Sequence, residues 1–338
     1  MKILILKRDK IGDLLLTTPM LSHLRQSLPN AEIHLLANNY NAWVVAENTD
    51  IDQLWIYRRA KSGRKIDFGA VIHQIWQQLQ LRFQRFDVAI VAGGEFSPRA
   101  VKRALSIHAK RTITYCDESA VCARVSDPLP APAGEHESDR MLNLLLPLQI
   151  RLHEQVINPT FNLPAQWQLF AENWLFGRHI SPRKYIVIGL GARRAKKQPT
   201  SEQVFHWAAY FKEHFQLDTL FMWTPGKSDN PLYPGDDEVA QPVLDAAVPY
   251  IYPFRGALMP ALGLIWNART SIFPDSGLMH FAAASPGGVL GLFAETDVSP
   301  SPVQWGPRGA KVAFLEATKS VAEIGDQMIY DKLESLLA

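Results

Sequence analysis

The feature that most constrains this chain is an alternation. Short β-branched or aliphatic runs, of strand length, are separated by longer stretches whose apolar residues recur at helical spacing. In the first half the runs are Lys2 to Leu6, Glu32 to Leu36, Gln53 to Ile56, Val88 to Val91 and Arg111 to Tyr115. Between them Leu14, Leu21, Leu24 and Leu28 recur at helical spacings of seven, three and four residues, and Val71, Ile75, Leu79 and Phe83 at four, which predicts crossover helices. Around Pro128, Pro130 and Pro132 the pattern stops, because prolines remove backbone donors, and a loop or hinge is expected there. The alternation then resumes, with strands at Tyr185 to Gly189, Thr219 to Trp223, Ser271 to Phe273 and Val289 to Phe293. Helices are expected near Ser201 to His214, Leu258 to Asn267 and Leu278 to Ala284. Such a chain folds as α/β, with doubly wound parallel sheets covered by helices. Its 338 residues, at about 150 per domain, make two domains, 1–150 and 151–338, with the final helix a candidate to pack back on the first.

Charge narrows the partners. The 35 Lys and Arg against 33 Asp and Glu leave +2, with no overall polyanion signature, so nucleic acid is not an expected partner. The cations are nevertheless uneven: residues 1–150 hold 19 basic and 15 acidic side chains, and the rest 16 and 18. The longest uncharged stretch, Ser276 to Ala294, is broken by Pro286, Gly287 and Gly288, so the protein is expected to be cytoplasmic and at most peripheral to a membrane. Cys116 and Cys122 fit neither a zinc knuckle nor a CxxC pair, and two free thiols are expected.

In doubly wound sheets ligands sit beyond the carboxyl ends of the strands, where helix amino termini point free amides. Three loops fall there. Lys7-Arg8-Asp9-Lys10-Ile11-Gly12-Asp13 leads from the first strand into a helix starting near Leu14. Asp13 reads equally as an N-cap and as a general base that takes a proton from a substrate hydroxyl. Gly189-Leu190-Gly191 begins like a dinucleotide fingerprint, but Arg194 replaces the third glycine. The cluster Arg193, Arg194, Lys196 and Lys197 instead suits a phosphate-bearing ligand. In the third loop, Pro274 to His280, Ser276 and Gly277 let backbone amides approach a diphosphate, while Asp275 suits sugar hydroxyls or a cationic partner. His280 reads as a packed side chain more readily than as a ligand.

The weaker candidates are quickly weighed. Asp50-Ile51-Asp52 spells an acidic pair but reads as a turn. No HExxH, GxSxG or paired Cys/His spacing occurs. Arg58, Arg59, Lys61, Arg64 and Lys65 crowd eight residues, and Arg99, Lys102 and Arg103 would share one helical face. An anionic acceptor, a membrane surface or plain solvent would each suit them.

Together, Ile3 to Pro19 (ILILKRDKIGDLLLTTP), Gly191 to Pro199 (GARRAKKQP) and Pro274 to Phe293 resemble, in order, the motifs of the heptosyltransferase family, glycosyltransferase family nine. The resemblance implies a GT-B fold, two Rossmann-like domains facing across a cleft, and inverting transfer of a heptose from ADP-heptose to the lipopolysaccharide inner core with no essential metal or other cofactor. It casts Asp13 as the base and Lys196, with Arg194, as contacts to the donor phosphates. Asp275 would hold the sugar, and Ser276, Gly277, Leu278 and Met279 would cradle the diphosphate with His280 close by. Lys7, Lys10, Arg58, Arg59, Lys61 and Arg64 are the candidates for meeting a lipopolysaccharide or lipid-linked acceptor at the inner membrane face. The chain departs from the family at Gln198, usually Trp, and at Ala294-Glu295-Thr296-Asp297, usually Gly-Pro-Thr-Asp. Within Thr224 to Glu238 either Asp229 or Glu238 could meet the ribose. The competing readings are a related transferase using another nucleotide-sugar for capsule or oligosaccharide synthesis, and a non-catalytic dinucleotide-binding protein.

Overall fold

The computed structural model describes the chain apart from residues 59–60, 63–64, 118, 131–134, 153–154, 192–193, 231–234, 296, 298–300 and 338. It divides into two units, Met1–Asn162 and Leu163–Ala338. The division falls twelve residues beyond the boundary expected from sequence, because the extended stretch after Ile150 stays with the first unit: the Thr160 amide donates to Thr18 Oγ1 at 2.9 Å.

In the first unit the order is β1 (Lys2–Leu6), α1 (Ile11–Leu15), α2 (Thr18–Ser27), β2 (Glu32–Asn38), β3 (Gln53–Tyr57), β4 (Lys61–Ser62), β5 (Lys65–Ile66), α3 (Phe68–Phe83), β6 (Val88–Val91), α4 (Pro98–Leu105), β7 (Arg111–Cys116), β8 (Asp127–Pro130) and α5 (Glu137–Asn143). Six strands form one sheet in the order β3-β2-β1-β6-β7-β8, every neighbouring pair parallel. β4 and β5 pair antiparallel by themselves. β1 and β6, buried on both faces, are near-continuous aliphatic runs, as strands at the centre of a parallel sheet must be.

Three expectations are corrected here. The stretch expected to form one helix through Leu14 and Leu28 is two, because Pro19 has no N–H to give the Leu15 carbonyl. Thr18 Oγ1 supplies that bond instead, at 2.8 Å. The proline-rich hinge contains an edge strand, β8. In its register with β7, Pro128 stands opposite Thr114 and Pro130 opposite Cys116. Two prolines spaced by two both lack donors on the same side, which an outermost strand tolerates when that side faces away from the sheet. Finally, Cys116 and Cys122 are not free thiols but a disulfide, with Cα atoms 5.7 Å apart, closing the turn at the end of β7.

The second unit runs α6 (Ala165–Phe176), β9 (Tyr185–Gly189), α7 (Ser201–Phe215), β10 (Asp218–Met222), α8 (Asp237–Asp245), β11 (Ile251–Phe254), α9 (Leu258–Trp266), β12 (Thr270–Pro274), α10 (Gly277–Ala284), β13 (Val289–Ala294), α11 (Pro302–Trp305), β14 (Val312–Ala317) and α12 (Asp326–Leu337). Its sheet order, β11-β10-β9-β12-β13-β14, again all parallel, repeats the winding of the first. Trp207, Phe211, Phe221 and Ile272 are buried in its core, and each such side chain contributes about 1.5–3 kcal/mol by leaving water. The final helix belongs to this unit: Asp326 takes the Trp207 indole N–H at 2.8 Å, and Leu333 is buried in the same core. α7 starts abruptly after the basic loop because Thr200 and Gln203 exchange a reciprocal pair of capping bonds.

Both sheets reverse winding direction between their two central strands, β1 and β6 in one, β9 and β12 in the other. The loops after those strands are therefore the places a ligand can reach.

Candidate functional site

At the switch point of the first unit, β1 is followed by Lys7. The side chain is only 1% exposed, and its ammonium lies 3.2 Å from Asp9 and 3.9 Å from Glu137. Glu137, in the first turn of α5, also accepts the Gly94 amide at 3.2 Å, and the approach is so close that a Cβ on Gly94 would overlap the carboxylate. Lys7, an expected acceptor contact, is thus committed to holding the ends of β1 and β6 against α5. Lys10 is exposed, and its backbone N–H donates to Asp13 Oδ2 at 2.9 Å. Asp13 is the third residue of α1, not its N-cap, and completes the return half of a capping box. One oxygen fixes the carboxylate at a helix amino terminus; the half-buried side chain retains its Oδ1 without a protein hydrogen bond among the described residues. The N-cap reading of Asp13 is thus corrected, since Lys10 holds that position, while the free Oδ1 leaves the base reading geometrically possible.

Of the other first-unit cations, Arg58 is exposed and Lys61 lies in β4; Arg59 and Arg64 lie outside the described residues. Arg103 and Arg8, neither among the expected acceptor contacts, sit over the Tyr57 ring at 5.0 and 5.2 Å. Burial, and then repulsion from Arg8, pulls the Arg103 guanidinium below its ordinary value. Arg99, Lys102 and Arg103 all lie in α4 at the spacing of one face, Arg99 and Lys102 exposed and Arg103 half-buried, and Lys102 also lines a cavity with Arg82 and His108. The Asp50-Asp52 pair is a turn: Asp52 accepts the Ile33 amide and the Arg25 guanidinium, both at 2.6 Å.

The second unit concentrates more chemistry. Ser276 is the N-cap of α10, its hydroxyl buried and without a hydrogen-bond partner among the described residues. Gly277, Leu278 and Met279 form the first turn, whose amides have no partner within the helix and carry the dipole's partial positive charge, about half a unit. His280 follows, buried at 5% exposure, as its packed reading expected. Asp275 is bound by Lys197 at 2.6 Å, both side chains largely buried. Lys196 instead points into solvent and reaches Glu295 at 3.2 Å, with Arg194 3.6 Å from the same carboxylate. Glu295 adopts φ +55°, a left-handed conformation uncommon for a side-chain-bearing residue, in the tetrapeptide where this chain departs from the family. Arg193 lies outside the described residues.

Beside this cradle, at the carboxyl ends of β9 to β12, is a cavity of about 160 Å³ walled by Gly191, Trp223, Pro225, Phe254, Phe273 and Leu278 among others. Gly189 is a glycine for packing: a Cβ would run into the Phe273 ring. Neither Asp229 nor Glu238 lines this slot; exposed Glu238 accepts the Ser228 amide at 3.2 Å. The acids touching its walls are their neighbours. Asp236 accepts the Thr224 amide at 3.2 Å and Gln198 Nε2 at 2.6 Å, and burial raises its carboxyl. Asp237, held by Arg255 and by the Trp223 indole, is lowered to about 2. Gln198, the residue standing where the family has Trp, is therefore the prop for Asp236.

The fold recurs in solved structures. A family 9 glycosyl transferase from Veillonella parvula superposes with TM-score 0.81 over 99% of this chain and 97% of its own, at 20% identity. E. coli ADP-heptose lps heptosyltransferase II superposes with TM-score 0.76 over 100% and 98%, at 17%. Two doubly wound units of this kind are the GT-B fold, and the class is a glycosyltransferase. Residues 72–332 match glycosyltransferase family 9 (heptosyltransferase), and the chain belongs to that family. It is also 25% identical over 299 residues to lipopolysaccharide heptosyltransferase 3 of Escherichia coli, covering 85% of this chain and 81% of the relative.

Proposed function

We propose that the protein transfers a heptosyl residue from ADP-heptose to the lipopolysaccharide inner core, with inversion, at the cytoplasmic face of the inner membrane. The observation that carries this is the second unit's switch point, where an apolar slot of about 160 Å³ adjoins first-turn amides and three cations. A flat base fits such a slot, its walls largely aromatic and aliphatic, while the amides of Gly277, Leu278 and Met279 stabilise the diphosphate that departs. Arg194 and Lys196, held loosely by Glu295 at the surface, exchange that carboxylate for phosphate oxygens. Asp275, fixed by Lys197, accepts hydrogen bonds from the sugar. These fixed donors supply the charge that a metal supplies elsewhere, so the reaction proceeds without one. The heptose in the relatives' names and the family match support the donor assignment.

On the acceptor side, Asp13 Oδ1 takes the proton from the attacking hydroxyl as the new bond forms at the anomeric carbon and the bond to ADP breaks. The test is ADP release from purified protein with ADP-heptose and truncated lipopolysaccharide. Asp13→Ala is expected to abolish turnover, by about a thousandfold or more, while leaving ADP binding intact. Retained turnover removes Asp13 from the mechanism, and turnover with a UDP- or GDP-sugar alone replaces the donor.

A further inference from the structure

α3 is built inside out. Its inner face, Ala70, Gln77 and Leu81, is buried, and two glutamines tie it to the edge of the sheet: Gln77 Nε2 donates to the Ile56 carbonyl at 2.9 Å, and Gln74 Nε2 to that of Arg58 at 2.5 Å. The large apolar side chains are turned the other way. Phe68, Ile72, Ile75, Trp76, Leu79 and Phe83 are each between 43% and 79% exposed. Their spacing places all six on one stripe about four turns long. In water this face is a net cost, and its continuity marks a surface that is covered by something.

The surrounding charge says what. From Phe68 to Arg85 the sequence contains no Asp or Glu. Exposed Arg58 precedes the helix, and the sequence between them carries Lys61 and Lys65. At its other end Arg82 lines a cavity of about 610 Å³ together with Lys102, His108 and Arg124. An apolar stripe containing Trp and Phe, bracketed by cations and free of acids, has the chemistry of a helix that lies in a bilayer interface and meets anionic headgroups. We propose that α3 is the membrane-docking element of this protein and that its partner is an anionic lipid surface. This deepens the membrane placement proposed above and does not depend on the transfer chemistry. It also explains why the stripe coexists with a chain in which, among the described residues, no helix is long and apolar enough to cross a membrane.

The test is co-sedimentation with phosphatidylcholine vesicles, with and without phosphatidylglycerol, at low and high salt. The full chain is expected to sediment with the anionic vesicles and to be partly released by salt. The double variant Ile72→Ser, Trp76→Ser is expected to bind them at least about tenfold more weakly, since two side chains no longer leave water. The same variant should keep its circular dichroism and its turnover on a lipid-free acceptor fragment, which separates failed docking from failed catalysis. Indifference of the full chain to anionic vesicles overturns the proposal. So does equal vesicle binding by the variant, or a dimer in sedimentation velocity that the variant turns into a monomer, which would assign the stripe to a second copy.

Discussion

Lys196 and Lys197 are adjacent, and the difference between them is set by one bend of the backbone. Lys197 is turned inward onto Asp275 and Lys196 outward toward Glu295. Sequence places both in a basic loop but carries no signal for which one is buried, since that depends on the short turn that Pro199 and the Thr200 cap impose after it. The consequence is unequal energetics. Lys196 is an exposed partner, whose removal costs little stability. Lys197→Met leaves a largely buried carboxylate without its counter-ion and should destabilise the second unit by about 3 kcal/mol. It should also weaken ADP binding, because Asp275 leads directly into the Ser276 cap. Pairing the change with Asp275→Leu should restore much of the stability but not the binding. Chemical denaturation of the two variants checks this, and a Lys197→Met protein as stable as the parent would mean that Asp275 is already satisfied without it.

Among the elements, the alternation of strand and helix was readable because parallel strands buried on both faces must be aliphatic throughout; β1, β6, β9 and β13 announce themselves this way. Elements at the margins were not. β8 carries prolines and β11 carries Pro253, and both are outermost strands, where the usual rules relax. The helical spacing of Val71, Ile75, Leu79 and Phe83 identified α3 correctly, but periodicity locates a stripe without saying which way it faces. The inward bonds of Gln74 and Gln77 decided that. Within the candidate site, the loops were legible from their position after strands, whereas Asp236 and the slot beside it come from segments far apart in sequence. β2 and β3 make a further, pH-dependent contribution. His34 is buried between them, with Nδ1 accepting the Trp55 indole N–H at 2.9 Å, so its Nε2 bears the proton and donates to Glu32 at 2.7 Å. Burial, opposed by Glu32, holds this imidazole below its ordinary value of 6.5. As pH falls through about 6.5 the unfolded chain binds a proton that the native state refuses, so stability declines toward lower pH. The thermal midpoint should drop between about pH 7 and pH 5.5, and His34→Gln should flatten that drop. An equally steep fall in the variant would place the titrating group elsewhere.

The whole molecule consists of the same winding used twice, yet the two units present different chemistry at equivalent positions. After β1 stands an ion cluster in which the buried Lys7 meets the exposed Asp9 and the buried Glu137. After β9 the switch point opens on a slot, a row of helix amides and Asp275. On the proposed function, the position after β9 receives the nucleotide and the one after β1 serves the acceptor. Hydrogen exchange with and without ADP tests this asymmetry directly. At an ADP concentration about a hundred times its dissociation constant, a unit that binds it is stabilised by about 2.7 kcal/mol, which slows its globally protected amides about a hundredfold. Amides of β9, β10 and β12 should show that slowing, and those at the start of α10 should gain protection of their own through contact with the diphosphate. Slow amides of β1 and β6 should change far less. Protection appearing in β1 and β6 while β9 and β12 exchange as before would move the nucleotide to the first unit, and with it the assignment of donor and acceptor to the two halves of the chain.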